Sequence, residues 1–219
     1  MPVNIKYLES FQEDEYFHVI AKAVGGNVLF RNDENKVYFL NQYFHYLSSY
    51  VHTYAFCLLD NHVHWLVKCT KERELKEYLF LLEKDKRKKH QNHFIDGAIT
   101  FERAVEYQWK DFFISYAQAY NNRFHRKGTL FVNPFRRIAI QDEAHLSRLI
   151  IYIHANQIKH RIENNLDQCR FTSYHSIINE NPTKLKREEV LEIFGGKESF
   201  IELHQQLIQY YKNPNAMED

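Results

Sequence analysis

Two histidines separated by one residue form the first group that can do chemistry. His62 and His64 lie in HVHWLVK, whose β-branched and aromatic residues predict a strand. Alternate residues of a strand share a face, so the two imidazoles are expected side by side, with Cα atoms roughly 6.5–7 Å apart. Two imidazoles so placed can bind one divalent ion. The same spacing also fits a pair of surface histidines on a half-exposed strand.

A second group lies on a predicted amphipathic helix at 143–161. At about 100° per residue, Tyr152 and Asn156 are neighbours one turn apart, and Arg148 and Lys159 fall on the same flank. A phenol can act as a nucleophile, an asparagine oxygen can bind a hard metal ion, and the two cations can hold phosphate. The pattern therefore fits a phosphodiester-processing site, and it also fits an ordinary solvated helix face.

Further candidates depend on weaker signals. Arg136 and Arg137 can contact phosphate, and the basic run at 84–89 predicts a solvated loop that can follow a nucleic-acid backbone. On sequence alone Tyr120 competes with Tyr152 as a nucleophile, although its helical spacing favours core packing. A structural role is predicted for the histidines without ligand-like spacing, which are His52, His125, His154, His160 and His175.

The order of the predicted elements indicates what positions these residues. Strands are expected at 15–24, 51–59 and 62–68, with a tight turn at Asp60-Asn61 and an extended segment at 128–140. Amphipathic helices are expected at 33–48, 71–83, 111–124, 143–161 and, as one or two helices, 188–212. The order predicts an α+β fold of the split βαβ type, an antiparallel sheet with helices on one face.

The composition limits the class of protein. The chain has 219 residues, of which 44% are hydrophobic and 16% aromatic, which is enough for a core and excludes global disorder. The formal net charge of +1 argues against a uniformly basic nucleic-acid binder and leaves room for a local basic patch. Three scattered cysteines fit neither a disulfide framework nor a zinc ribbon. With no signal-like start and no apolar run of membrane length, we expect a soluble, cytoplasmic protein.

The two groups, in this order, resemble the single-tyrosine HUH transposases. LDNHVHWLV is similar to their His-hydrophobic-His strand. GTLFVNPFRRIAI followed by LSRLIIYIHANQIKH resembles the REP-associated tyrosine transposase branch, in which a GTLWQGRFKS-like segment precedes a helix reading YIHxNP. The resemblance covers about residues 16–176. It implies a ferredoxin-like nuclease domain at 1–165, with 83–107 as an insertion or loop, and a C-terminal helical extension at 166–219.

The resemblance also implies a function, which is metal-dependent cleavage and strand transfer of single-stranded DNA. In the family pattern His62, His64 and Asn156 hold Mg²⁺ or Mn²⁺, and Tyr152 attacks the phosphate to give a 5′-phosphotyrosyl intermediate. The expected partner is single-stranded or hairpin DNA, with a monomer favoured over a dimer and no membrane. The expected DNA contacts are Arg136, Arg137, Arg148 and Lys159.

The chain departs from the family pattern at three places. Gln157 replaces the usual Pro after Asn156, Asn133-Pro134 replaces Gly-Arg, and Asp60 replaces Pro. Because this segment is expected to face DNA, the loss of Gly-Arg is expected to affect target recognition more than the chemistry. Two alternatives stay open at this point. One is a domesticated, non-cleaving binder of DNA hairpins, and the other is a metal-dependent phosphoesterase with water as the nucleophile.

Overall fold

Four strands form an antiparallel sheet at the centre of the fold. In the computed structural model, which describes residues 8–212 apart from the side chains at positions 143 and 144, they are β1 (Tyr16–Lys22), β2 (Val51–Leu59), β3 (His62–Cys69) and β4 (Arg136–Ile140). Their order across the sheet is β2-β3-β1-β4, and all neighbours run antiparallel. Strands β1 and β2 therefore run parallel with β3 between them, which is the ferredoxin-like split βαβ arrangement. The predicted α+β class is confirmed.

Eight α-helices lie around this sheet within the described part of the chain. They are α1 (Asp33–Leu47), α2 (Glu72–Leu81), α3 (Lys89–Ile95), α4 (Phe101–Arg123), α5 (Glu143–Lys159), α6 (Tyr174–Ile178), α7 (Arg187–Ile193) and α8 (Lys197–Tyr211). Helix α1 begins at the predicted place because the Asn32 side chain accepts a hydrogen bond from the Asn35 backbone N–H. None of the helices in residues 8–212 combines the length and apolar character that a membrane span needs.

The region between α2 and α4 differs from the sequence-based expectation. Helix α4 begins at Phe101, ten residues before the predicted start, and α3 occupies part of a segment expected as a charged loop. In the first turns of α4, Phe101, Val105 and Trp109 recur at a spacing of four residues and are all buried. Charged residues between these positions obscure the pattern in the sequence.

Helices cover both faces of the sheet, whereas the sequence predicted helices on one face only. On one face, the Trp65 ring lies 5.3 Å from Tyr43 of α1 and 5.4 Å from Trp109 of α4. On the other face, α5 packs against β2 and β3, with Tyr152 against His64. The reason is visible in β3, where residues of both parities are buried rather than one alternating set.

The strand register places the candidate histidines on the face that α5 covers. In the β1–β3 pair, His64 lies opposite Ile20 and His62 lies opposite Lys22. Directly opposed residues of an antiparallel pair point to the same face, and so do alternate residues of one strand. His18 of β1 therefore belongs to the same face as the two histidines of β3.

Candidate active site

The two histidines of β3 lie at the turn end of that strand, with their ring centroids 5.0 Å apart. His64 is buried, with 4% of its surface exposed, and His62 is half-buried. The Asp60-Asn61 turn joins β2 to β3 directly before them, as predicted. Alternation along one strand thus brings the imidazoles together, and no long-range packing is needed for this part of the site.

Helix α5 brings Tyr152 to this pair. Its ring centroid is 5.8 Å from the His64 ring and nearly perpendicular to it, at 85°. The ring is half-buried, and the Lys159 ammonium lies 4.8 Å from its centre. The late helix and the mid-chain strand therefore meet, which the sequence-based hypothesis required.

The helix is held over the sheet partly by Gln157, one of the departures from the family pattern. Its side-chain N–H donates to the backbone oxygen of Leu58 in β2, at 3.0 Å. A proline at this position has no such donor and interrupts a helix. Gln157 is buried and lets α5 continue to Lys159. This departure is therefore compatible with the placement of Tyr152.

Two buried atoms at the site have no hydrogen-bond partner. They are His64 Nε2 and Asn156 Oδ1; among the buried side-chain atoms that the structure describes, the same is true only of the indole nitrogens of Trp65 and Trp109. The Asn156 amide nitrogen donates to the Tyr152 backbone oxygen at 2.8 Å, so it is the oxygen that is left over. Imidazole nitrogen and amide oxygen are both ligands for divalent ions. The chemistry of these atoms fits the metal that the family pattern implies.

Burial favours the neutral form of both histidines of β3, which is the form that metal binding requires. Burial is the main cause that lowers the pKa of His62 to about 4, and His160 and Lys22 add to the effect. Burial likewise holds the pKa of His64 well below its ordinary value, with smaller contributions from His18 and His62. His62 Nδ1 lies 2.6 Å from the side-chain oxygen of Asn61, which can only accept, so the proton is on Nδ1 and Nε2 has a lone pair.

Two histidines that sequence reasoning left out of the site lie beside this pair. His18 Nε2 is 2.9 Å from His64 Nδ1, and the His160 ring is 5.1 Å from the His62 ring. Among the side chains that the structure describes, no three His, Cys, Asp or Glu residues form a metal-binding group, and the oxygen without a partner nearest the pair along α5 belongs to Asn156. The sequence of β1 gives no sign that His18 belongs to the site, because only the pairing of β1 with β3 brings His18 next to His64.

The predicted DNA contacts fall on different faces of the molecule. Strand pairing places Arg136 opposite Ile20, on the face of His64, and its side chain is exposed. Arg137 points to the other face, where it forms an ion pair with Glu106 and lies over Phe11. The structure therefore does not bring Arg137 to the site. Of the remaining two, Arg148 is exposed on α5 and Lys159 lies on the Tyr152 ring.

Tyr120, the competing nucleophile, lies in the core. It is 4% exposed, its hydroxyl accepts from Arg31 Nε at 3.3 Å, and its ring packs against Phe124. The core packing predicted from helical spacing is confirmed. Tyr152, with its ring against His64, is the tyrosine that the structure associates with the histidine pair.

A cleft of about 300 Å³ opens beside this histidine pair. It is lined by His62, His160 and Ile162, together with residues of the 26–28 and 59–61 segments. Its size is at the lower end of small-molecule pockets, roughly 300–1,000 Å³. The site is thus accessible from solvent on the His62 side.

Comparison with known proteins gives one structural likeness. No family model matches the chain, and a search of curated proteins finds no match. Among solved structures, the chain is similar to a REP-associated tyrosine transposase bound to a REP hairpin, with a TM-score of 0.49 and 12% identity. The likeness covers 80% of this chain and 86% of that chain. A likeness at this identity and TM-score shows neither the family nor the function of this chain.

Proposed function

We propose that this protein is a metal-dependent single-strand DNA endonuclease and transposase, with Tyr152 as the nucleophile. One observation supports this most strongly. A half-buried tyrosine ring lies 5.8 Å from a buried histidine whose Nε2 has no partner, and Asn156, one helical turn from that tyrosine, also has a buried oxygen without one. In a packed core, buried polar atoms are normally hydrogen-bonded, so two such atoms without partners beside a tyrosine fit a phosphodiester-cleaving site better than a structural role.

In this proposal His62, His64 and Asn156 hold Mg²⁺ or Mn²⁺. When bound, the ion polarises the scissile phosphate and stabilises the leaving oxygen. The Tyr152 hydroxyl oxygen attacks phosphorus and the bond from phosphorus to the 3′-oxygen breaks. The proton that the phenol loses is balanced by the proton that the leaving 3′-oxygen gains, so the products are a 5′-phosphotyrosine and a free 3′-hydroxyl. The Lys159 ammonium lies 4.8 Å from the centre of the Tyr152 ring, where it can contact a phosphate bound beside the nucleophile. The covalent link keeps the phosphodiester energy for rejoining.

The proposed substrate is a DNA hairpin with an unpaired flank. Arg136, Arg148 and Lys159 are the proposed phosphate contacts, since Arg136 is on the site face and the other two are on α5. With a net charge of only +1, binding has to come from such local cations. Affinity is then expected to fall with salt concentration.

We further propose that the active unit is a monomer. His62, His64, Tyr152 and Asn156 come from β3 and α5 of one chain, and the tyrosine already lies against its own histidine. A second copy is therefore not needed to complete the site. Sedimentation of the protein with and without hairpin DNA tests this, and a dimer required for cleavage would contradict it.

The test uses a labelled pool of DNA hairpins with randomised loops and flanks, incubated with Mn²⁺ and separated on a denaturing gel. We expect a covalent protein–DNA adduct from the wild type and none from Tyr152→Phe, with hairpin binding unchanged. Tyr120→Phe is the matched control, because it removes the same group from the core tyrosine and should retain the adduct.

The same gel separates the alternatives. An adduct that persists in Tyr152→Phe refutes the assignment of the nucleophile. Cleavage by the wild type without any adduct favours the phosphoesterase that uses water. Metal-independent binding without cleavage favours the non-cleaving hairpin binder.

A further inference from the structure

The interaction between His18 and His64 is a buried polar contact between two strands at the site. His18 in β1 is 8% exposed and His64 in β3 is 4% exposed. The two residues are 46 positions apart in the chain, and a single hydrogen bond joins His18 Nε2 to His64 Nδ1 at 2.9 Å. The rings lie 5.2 Å apart and close to parallel, and His18 meets the Tyr152 ring edge-on at 6.2 Å.

The proton in this hydrogen bond decides what His64 can do. In a neutral imidazole one nitrogen donates and the other accepts. If His18 donates, His64 has its own proton on Nε2, where the structure provides no acceptor. If His64 Nδ1–H donates to His18, Nε2 of His64 has a lone pair instead. Orphaned buried N–H groups are the rarer case in proteins, so the second arrangement is favoured.

The neighbouring histidine has the same arrangement. His62 Nδ1 donates to the Asn61 side-chain oxygen, so His62 Nε2 also has a lone pair. Both imidazoles of β3 thus have their Nδ1 proton held by a neutral acceptor and their Nε2 left for a ligand. The acceptor for His62 is exposed and depends on a surface asparagine, whereas the acceptor for His64 is built into the sheet.

We infer that His18 is a positioning residue, which fixes the tautomer and orientation of His64 so that Nε2 is presented to a divalent ion. The inference rests on the proposed function and extends it to a residue of another strand. His18 itself touches neither the ion nor the DNA in this role. Because imidazole and amide groups bind a metal as neutral ligands, His62, His64 and Asn156 leave the double positive charge of a bound ion intact, and that charge is what polarises a phosphate.

The position of His18 follows from the sheet. Its directly opposed residue in β3 is Leu66, and His64 is the diagonal neighbour on the same face. Diagonal neighbours are within reach of ring-sized side chains. A one-residue slip of β1 against β3 would turn His18 to the opposite face, so the hydrogen bond depends on the register.

The experiment compares His18→Phe, which retains a ring and removes the acceptor, with His18→Gln, whose amide oxygen can accept in place of Nε2. His52→Phe makes the same exchange at the other end of the sheet and serves as the control. Mn²⁺ affinity is measured by electron paramagnetic resonance. Two-bond ¹⁵N–¹H correlation spectra of the metal-free protein at neutral pH identify the His64 tautomer.

For the wild type we expect the His64 proton on Nδ1. His18→Phe should weaken Mn²⁺ binding about 10- to 100-fold and lose the single tautomer. His18→Gln should restore most of the affinity, and His52→Phe should leave it unchanged. The rate of tyrosyl-adduct formation should fall in His18→Phe, while metal-free hairpin binding stays constant, which a general loss of structure would not produce.

A wild-type His64 with its proton on Nε2 overturns the inference, and so does a His18→Phe protein that binds Mn²⁺ as tightly as the wild type. Absence of Mn²⁺ binding by the wild type overturns both this inference and the proposed function. If Mn²⁺ binds in a His18-dependent way but no adduct forms on any hairpin, only the proposed function fails.

Discussion

A buried chain of hydrogen bonds makes the stability of this protein depend on pH. His204 of α8 donates from Nδ1 to the Phe200 backbone oxygen at 2.7 Å, so its Nε2 accepts from His154 Nδ1 of α5 at 2.9 Å. His154 Nε2 accepts in turn from the Ser173 hydroxyl at 2.7 Å. His154, Ser173 and His204 have no exposed surface. A proton added to His204 Nε2 would face the N–H of His154 Nδ1. A proton added to His154 Nε2 would face the hydroxyl that Ser173 donates.

The magnitude follows from His204. Burial lowers its pKa from 6.5 to about 4, against the opposite effect of the hydrogen bond to Phe200. Because the folded pKa is below the unfolded one, the contribution to stability is complete above pH 6.5 and is lost as the pH falls toward 4. Between pH 7.5 and 5.0 this group alone removes about 2 kcal/mol, at about 1.4 kcal/mol per pKa unit. Burial also holds the pKa of His154 well below its ordinary value, which adds to the loss.

The assay is urea unfolding at pH 7.5 and 5.0. Both proteins lose stability on acidification, but we expect the loss in His204→Phe to be about 2 kcal/mol smaller than in the wild type. The variant should be less stable at pH 7.5, because His154 Nδ1 loses its acceptor. His93→Phe, at an exposed histidine, is the control and should show the wild-type loss. Equal losses in His204→Phe and the wild type would refute the reasoning.

Three further predictions concern the core, the DNA contacts and the proposed metal site. Trp65→Ala should lower the free energy of unfolding by about 3–5 kcal/mol, because the indole is fully buried among aromatic rings; a loss under 1 kcal/mol in urea unfolding would contradict this packing. Arg136→Ala should weaken hairpin binding and reduce the salt slope by about one, whereas Arg137→Ala should leave the slope unchanged and cost about 1–3 kcal/mol of stability. Reversed effects in filter-binding titrations and urea unfolding would contradict the assignment of the two faces. Asn156→Ala should lower Mn²⁺ affinity, since it removes an oxygen without a partner; unchanged affinity would exclude Asn156 as a ligand.

Local patterns in the sequence predicted the parts of the site that lie on a single element. The alternation of His62 and His64 requires only that the segment be a strand. The neighbouring positions of Tyr152 and Asn156 require only that theirs be a helix. Both elements occur as expected, with β3 at His62–Cys69 and α5 at Glu143–Lys159. The helical periodicity did not predict the start of α4, because charged residues there interrupt the spacing of the apolar residues.

By itself the sequence determined the order of the strands and of the longer helices, the α+β class and the pair of histidines on one face, because periodicities of 2 and 3.6 residues are properties of neighbouring positions. Only the tertiary structure decided that His18 reaches His64, that His160 lies beside His62, and that Arg137 faces away from the site. These outcomes depend on which strands pair and in which register. Register is chosen by the burial of the whole sheet between its helices, and one residue of slip reverses every side chain. No short window of sequence contains that information.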